Sequence, residues 1–144
     1  MAYWLLKTEP EEYSYNDLEK EKTTVWNGVN NALALKHMRT MQPGDLAFIY
    51  HTGKQKKIVG IGLISSQPYP DPELNEAKRT VVKVQAVEKV TVPVSLKEIK
   101  QDDSFKDFEM LRLPRLSVVP VAKPYWQRLI ALCKSEISAH SIDK

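Results

Sequence analysis

Apolar and polar residues alternate most regularly over Thr80–Val92. This two-residue period is typical of a β-strand that is buried on one face, and Pro93 is expected to end it. The apolar residues of the buried face would be Val82, Val84, Ala86, Val90 and Val92. Shorter apolar runs predict four more strands, at Tyr3–Lys7, Leu46–His51, Ile58–Ser65 and Arg115–Val121.

Three of these predicted strands carry signals about their connections or their place in the sheet. Leu46–His51 and Ile58–Ser65 are joined by a short basic connection, which favours a hairpin. Gly60 and Gly62 lie on one face of the second strand, a pattern that marks a bend or a place where another backbone or a ligand comes close. Pro120 predicts an edge position for the last strand, since proline cannot donate a backbone hydrogen bond. The proline-rich segment 67–72 is predicted to be a loop.

Helix signals fall between these strands. Ser14 with Asp17 predicts a short helix through about Lys20, and Asn31 is placed to cap a helix over Ala32–Met41. Ser95 and Glu98 have the spacing of a capping box. Pro124 fits the first turn of a last helix, with its buried stripe at Trp126, Leu129, Ile130 and Cys133.

About five or six short strands interleaved with short helices, without βαβ regularity, predict an α+β fold. A partly open β-barrel with flanking helices fits this order best. At 144 residues the chain is expected to form a single domain over 1–144, with a loose tail from about residue 136. Trp4 and Trp126 are expected in its core.

Composition narrows the class of protein further. Hydrophobic residues make up 42% and charged residues 27%, as in ordinary globular proteins, and the net charge of +3 permits nucleic-acid binding without demanding it. No apolar run approaches a membrane span, and no secretory signal is recognised. Cys133 is the one cysteine, which excludes an internal disulfide and favours a cytoplasmic setting.

The strongest candidate site is the segment around Trp26. A tryptophan in a loop rich in Asn and Gly is poorly placed for a core but well placed to stack on a planar ligand. Asn side chains offer both a donor and an acceptor for the edge of a base, and glycine lets the backbone come close. The alternative is that Trp26 only plugs one end of the barrel. The candidates here are Trp26, Asn27, Gly28, Val29 and Asn31.

Other candidates lie at the predicted strand ends. Lys7 and Thr8 suit a phosphate or base edge, Tyr50 and Tyr69 could add aromatic walls, and His51 could add a hydrogen-bonding edge. Arg115 carries a planar fork suited to phosphate or a carbonyl, and it precedes Leu116 and Ser117. The basic residues predicted to hold phosphates are Lys36, Arg39, Lys54, Lys56 and Lys57, although each cluster could equally be a solvated face.

Enzyme signatures are missing from the sequence. It has no phosphate-binding glycine loop, no paired His and Cys at metal spacing, and no Gly-x-Ser-x-Gly elbow. Cys133 lies on the apolar stripe of the last helix, which does not suit a nucleophile. No catalysis, metal or cofactor is therefore expected.

The first strand, the segment Val25–Asn31 and the segment Arg115-Leu116-Ser117-Val118 together resemble the EVE domain family. That family has a PUA-like fold and is related to the YTH readers of methylated adenine. The chain departs from the common pattern in having Asn27 and Asn30 where an acidic residue and an arginine are usual. One possible phosphate or base contact is absent as a result.

The resemblance implies a monomeric domain that binds DNA or RNA and flips a modified base into an aromatic pocket. A 5-substituted cytosine is the ligand class it suggests first, and methyladenine is the next. Two other functions remain open. One is a small hydrolase of the ASCH kind acting on a nucleoside derivative through Glu9 and His51. The other is a protein-interaction module that uses the barrel surface.

Overall fold

The computed structural model describes residues 1–73 and 76–135, with the backbone alone for 76–78. Within that part the strands are β1 (Tyr3–Thr8), β2 (Thr23–Trp26), β3 (Leu46–His51), β4 (Lys57–Ile64), β5 (Tyr69–Asp71), β6 (Glu76–Ser95) and β7 (Val118–Pro120). The helices are α1 (Tyr15–Glu21), α2 (Ala32–Arg39), α3 (Leu96–Gln101), α4 (Glu109–Arg112) and α5 (Lys123–Cys133). The predicted tail from about residue 136 lies outside the described residues.

The described strands form one sheet in the order β2-β6-β4-β3-β1-β7, with β5 paired to β6. β1 and β3 are parallel, and the other pairs are antiparallel. The α+β prediction is confirmed, with seven strands in the described chain rather than five or six. β2 and β7 remain the two ends of the sheet path, so the sheet is not closed into a barrel.

The strand predictions hold with three corrections. Pro93 does not end β6, because the register of β4 with β6 passes from Gly60↔Lys89 to Ile58↔Val94 and leaves Pro93 inside a bulge. The segment predicted as a proline-rich loop contains β5, whose backbone pairs with β6. Only Val118–Pro120 of the last predicted strand is extended and paired, and it lies at the sheet edge, as Pro120 predicts.

The helix starts follow the predicted caps. The side chains of Ser14 and Ser95 each complete a capping box, and Asn31 Oδ1 accepts a hydrogen bond from the backbone N–H of Ala34 at 3.0 Å. α2 ends two residues earlier than predicted, at Arg39. No helix in the described residues is long and apolar enough to cross a membrane.

The core lies between the sheet and the helices. Trp126 of α5 is fully buried and stacks on Tyr3 with ring centroids 4.6 Å apart. The ring of Phe48 of β3 also packs against the Trp126 ring, with centroids 4.1 Å apart. Trp4 is buried as well, so both tryptophan core predictions are confirmed. The predicted apolar stripe of α5 is also buried, including Cys133, whose thiol pKa burial raises to about 12.

Candidate functional site

A groove of about 680 Å³ lies where the end of β1, the segment between β1 and α1, the last residue of α1, the end of β2 with the connection to α2, and the segment before β7 meet. We call it the Trp26 groove. It brings together nine of the residues predicted to bind a ligand: Lys7, Thr8, Trp26, Asn27, Gly28, Val29, Asn31, Arg115 and Ser117. These nine residues come from three separate parts of the chain and meet at one surface.

Trp26 is the last residue of β2, opposite Val82 of β6, and not part of a loop. Only 7% of its surface is exposed, and the ring of Tyr13 meets it edge-on with centroids 6.2 Å apart. Trp26 thus packs in the core while one part of its surface lines the groove. The burial agrees with the interpretation of Trp26 as a core residue, while its role as a ligand wall stays a prediction.

The connection after Trp26 forms the outer wall. Gly28 has φ +78°, a left-handed conformation that glycine adopts without strain, and a Cβ there would meet no atom within 4 Å. Asn31 commits its side-chain oxygen to capping α2. Arg79 of β6 donates from Nη1 to the carbonyl of Val29 at 3.4 Å, an anchor that sequence reasoning missed.

Lys7 is fixed at the base of the groove. Its Nζ donates to the carbonyl of Pro114 at 2.9 Å and lies 5.7 Å from the ring centroid of Tyr50. Burial lowers the pKa of the Lys7 ammonium. Thr8 donates from Oγ1 to the carbonyl of Tyr13 at 2.8 Å, so its oxygen lone pairs remain as acceptors toward the groove.

Acidic side chains also line the groove, which sequence reasoning did not foresee. Glu9, Glu12 and Glu21 all line the groove. The Tyr13 hydroxyl donates to Glu21, and burial together with that carboxylate raises the pKa of Tyr13 to about 12. The acidic run near residue 10 was visible in the sequence, but only the fold shows which carboxylates face the groove.

Four predicted ligand-binding residues lie outside the Trp26 groove: His51, Leu116, Tyr69 and Tyr50. His51 is 6% exposed, and both ring nitrogens are engaged, since Nε2 accepts from the backbone N–H of Tyr15 at 3.0 Å and Nδ1 lies 2.9 Å from Gln55 Oε1. Leu116 is a buried core residue.

Tyr69 lies on the opposite face of the sheet from Trp26. It pairs with Val81 of β6, whereas Trp26 pairs with the next residue, Val82. Directly paired residues share a face and successive residues alternate, so Tyr69 and Trp26 point to opposite faces of the sheet.

Tyr50 lies in a second cavity of about 400 Å³, which we call the lysine cleft. Lys56 also lines this cleft, and Lys54 and Lys57 lie beside it in the β3–β4 hairpin. Lys36 and Arg39 are exposed on α2. None of these five predicted phosphate-binding residues lines the Trp26 groove, among the residues that the structure describes.

The EVE domain family matches residues 2–132 of the chain. Thymocyte nuclear protein 1 of Rattus norvegicus is 31% identical, over 94% of this chain and 75% of that protein. A Rhodopseudomonas palustris protein solved by NMR is 34% identical, with a TM-score of 0.87 and 97% of both chains covered. Human THYN1, crystallised in complex with DNA containing 5-methylcytosine, is 27% identical with a TM-score of 0.85, over 95% of this chain and 100% of that one.

A mixed sheet with flanking helices and a groove beside a buried tryptophan define the class of small PUA-like domains. The chain belongs to the EVE domain family.

Proposed function

We propose that this protein binds nucleic acid without catalysis and reads a modified base, a 5-substituted cytosine, in the Trp26 groove. The observation that carries the proposal is the meeting of a buried aromatic ring, short polar side chains and the cations of Lys7 and Arg115 at one surface. The crystal complex of human THYN1 with DNA containing 5-methylcytosine supports the ligand class.

The groove suits a cytosine in its chemistry. The exocyclic amine of cytosine donates hydrogen bonds, and carboxylates such as that of Glu9 are its usual acceptors in proteins. Asn27 is exposed at the rim and offers both a donor and an acceptor to the rest of the base edge. Stacking on Trp26 would contribute about 1–3 kcal/mol whatever the base.

A 5-methyl group adds a smaller contribution to the binding free energy, and this contribution favours the modified base. Burying one methyl group is worth about 0.8 kcal/mol, which is roughly a fourfold preference. Trp26 is only 7% exposed, so stacking of a base on its ring requires neighbouring residues of the groove to move, and the connection over Asn27–Asn30 is the segment we propose for this movement. The left-handed Gly28 is the point in that connection where the backbone is freest to change direction.

Fluorescence anisotropy with single-stranded oligonucleotides tests this proposal. The oligonucleotides carry cytosine, 5-methylcytosine, 5-hydroxymethylcytosine, adenine or N6-methyladenine at one position. Trp26→Leu keeps an apolar side chain in the core but removes the stacking surface, so it should abolish the preference for the modified base. Leu113→Ala, an exposed apolar residue outside the groove lining, is the matched control.

The outcomes separate the open alternatives. Equal affinity for all bases in the unaltered protein would overturn the proposal. Binding that ignores both salt and Trp26→Leu would indicate a protein-interaction module instead. A hydrolase using Glu9 and His51 has less support. Glu9 lines the groove and His51 does not, and both ring nitrogens of His51 are already engaged by Tyr15 and Gln55. The monomeric state and the cytoplasmic location stay predictions.

A further inference from the structure

The Trp26 groove carries side chains of both charges, and this restricts where the phosphates of a nucleic-acid strand can lie. Glu9, Glu12 and Glu21 line it together with Lys7 and Arg115. Each phosphate of a strand carries a negative charge and is repelled by carboxylates at close range. A strand with its base in the groove therefore favours a path that brings its phosphates near Lys7 and Arg115 and away from the carboxylates.

The lysine cleft adjoins the groove at Lys7, which lines both cavities. Lys56 and Lys100 line the cleft and not the groove. None of the described residues that line the cleft is acidic, in contrast to the groove. Its floor is apolar, formed by Tyr50, Leu96, Met110, Leu111 and Pro114. An apolar floor under a lysine rim fits a ligand that combines a flat or ring-shaped apolar part with an anion.

The backbone at Lys56 supports a built site. Lys56 has φ +46°, a left-handed conformation that is strained for a residue with a side chain. Its carbonyl accepts a hydrogen bond from the backbone N–H of Leu96 at 2.8 Å, which fixes this conformation at the mouth of the cleft. Strained residues held in this way cluster at functional sites. A glycine or asparagine would satisfy the turn alone with less strain.

We propose that the lysine cleft binds the nucleotide next to the base read in the Trp26 groove, on the same strand. Lys56 and Lys100 hold its phosphate, and the floor around Tyr50 takes its sugar and base. The inference rests on the proposed function, because the neighbouring nucleotide is defined by the base in the groove. It adds a subsite, a direction for the strand and a role for Lys100.

Isothermal titration calorimetry with three short ligands tests the subsite. The ligands are 5-methyldeoxycytidine and the two dinucleotides that carry this residue with one flanking nucleotide on either the 5′ or the 3′ side. One of the two dinucleotides should bind several-fold more tightly than the nucleoside, and the other should gain little. Lys100→Gln and Lys56→Gly should each remove that gain and leave nucleoside binding unchanged.

Two features of the variants make the result decisive. Lys56→Gly relieves the left-handed backbone, so the protein should be at least as stable while its affinity for the dinucleotide falls. With a longer single strand, each lysine removed should lower the salt slope of log affinity by about 0.7. Lys106→Gln, an exposed lysine outside both linings, is the matched control and should change neither quantity.

The failure of the inference and the failure of the proposed function give different results. If the base preference persists and the gain from the flanking nucleotide survives both lysine variants, the inference alone is overturned. If no ligand shows a preference for the modified base, the proposed function fails, whatever the lysine variants do. An equal loss with Lys106→Gln would show a general charge effect and would also overturn the subsite.

Discussion

The ring of Tyr15 occupies the space in which a side chain at position 60 would lie. A Cβ built on Gly60 would overlap three carbons of that ring. The Tyr15 hydroxyl also donates to the carbonyl of Ile61 at 2.8 Å, so the ring is fixed against β4 at both ends. A Cβ on Gly62 would lie 2.8 Å from Val84 Cγ1 and 3.3 Å from the backbone oxygen of Gln85, so the close approach at these two glycines is made mainly by side chains rather than by another backbone or a ligand.

We expect Gly60→Ala to destabilise the protein, because the ring of Tyr15 cannot move without breaking its hydrogen bond to Ile61. Overpacking of this kind costs about 1–3 kcal/mol in the free energy of unfolding. Urea denaturation measures the loss. In a Tyr15→Ala background the same substitution should cost much less. Equal losses in the two backgrounds would show that the Tyr15 ring is not the cause.

Asp45 should be a major determinant of stability. Its buried carboxylate accepts hydrogen bonds from Trp4 Nε1 at 3.0 Å and from the backbone N–H groups of Ala2 and Gln42 at 3.0 and 2.9 Å. Asp45→Ala leaves these donors unpaired, at a cost of about 3 kcal/mol in the free energy of unfolding. Chemical denaturation followed by circular dichroism measures the loss.

The comparison for Asp45 is Asp107→Ala, which removes an exposed carboxylate. A loss for Asp45→Ala no larger than that for Asp107→Ala would contradict the assignment. Base binding by the folded fraction should be unchanged in both variants, because neither residue lines the Trp26 groove.

Stability should fall in alkaline solution. Burial raises the pKa values of Tyr13, Tyr15 and Cys133 to about 12, above their ordinary values of 10.0 for tyrosine and 9.0 for cysteine. As the pH rises from about 9 toward 12, the unfolded chain releases protons that the folded chain retains. The free energy of unfolding must therefore decrease across this window and stay insensitive to these groups below it.

Urea denaturation at several pH values between neutral and about pH 11 measures this alkaline dependence. Cys133→Ala and Tyr13→Phe each remove one titrating group, so each should flatten the slope. A control is Tyr125→Phe, since that tyrosine lies against Phe105 and Phe108 on another part of the protein. An unaltered slope in both test variants would refute the link to these groups.

The elements that depend on neighbouring residues could be read from the sequence. The caps at Ser14, Asn31 and Ser95 join groups three residues apart, so the local pattern contains both partners. The hairpin of β3 and β4 and the apolar stripe of α5 are also local patterns. The two short strands were missed because each is stabilised mainly by pairing with β6, far along the chain.

The candidate site likewise has features that the sequence could predict and features that it could not. The segment from Trp26 to Asn31 could be singled out because an aromatic residue, two amides and a glycine stand together in the sequence. Its burial could not be predicted, since Trp26 is enclosed by Tyr13 and by the register with Val82. His51 was a reasonable polar candidate, but a contact with the start of α1 uses its Nε2.

The sequence by itself determined the α+β class, most strands and helices, the family resemblance and the residues that could face a base. These follow from periodicity and from contacts between near neighbours, which one stretch of chain contains. Only the tertiary structure decided that Glu9, Lys7 and Arg115 line one groove and that Lys56 and Lys100 share a second cavity. Sheet order and register set those distances, and they depend on pairings between segments that are remote in the sequence.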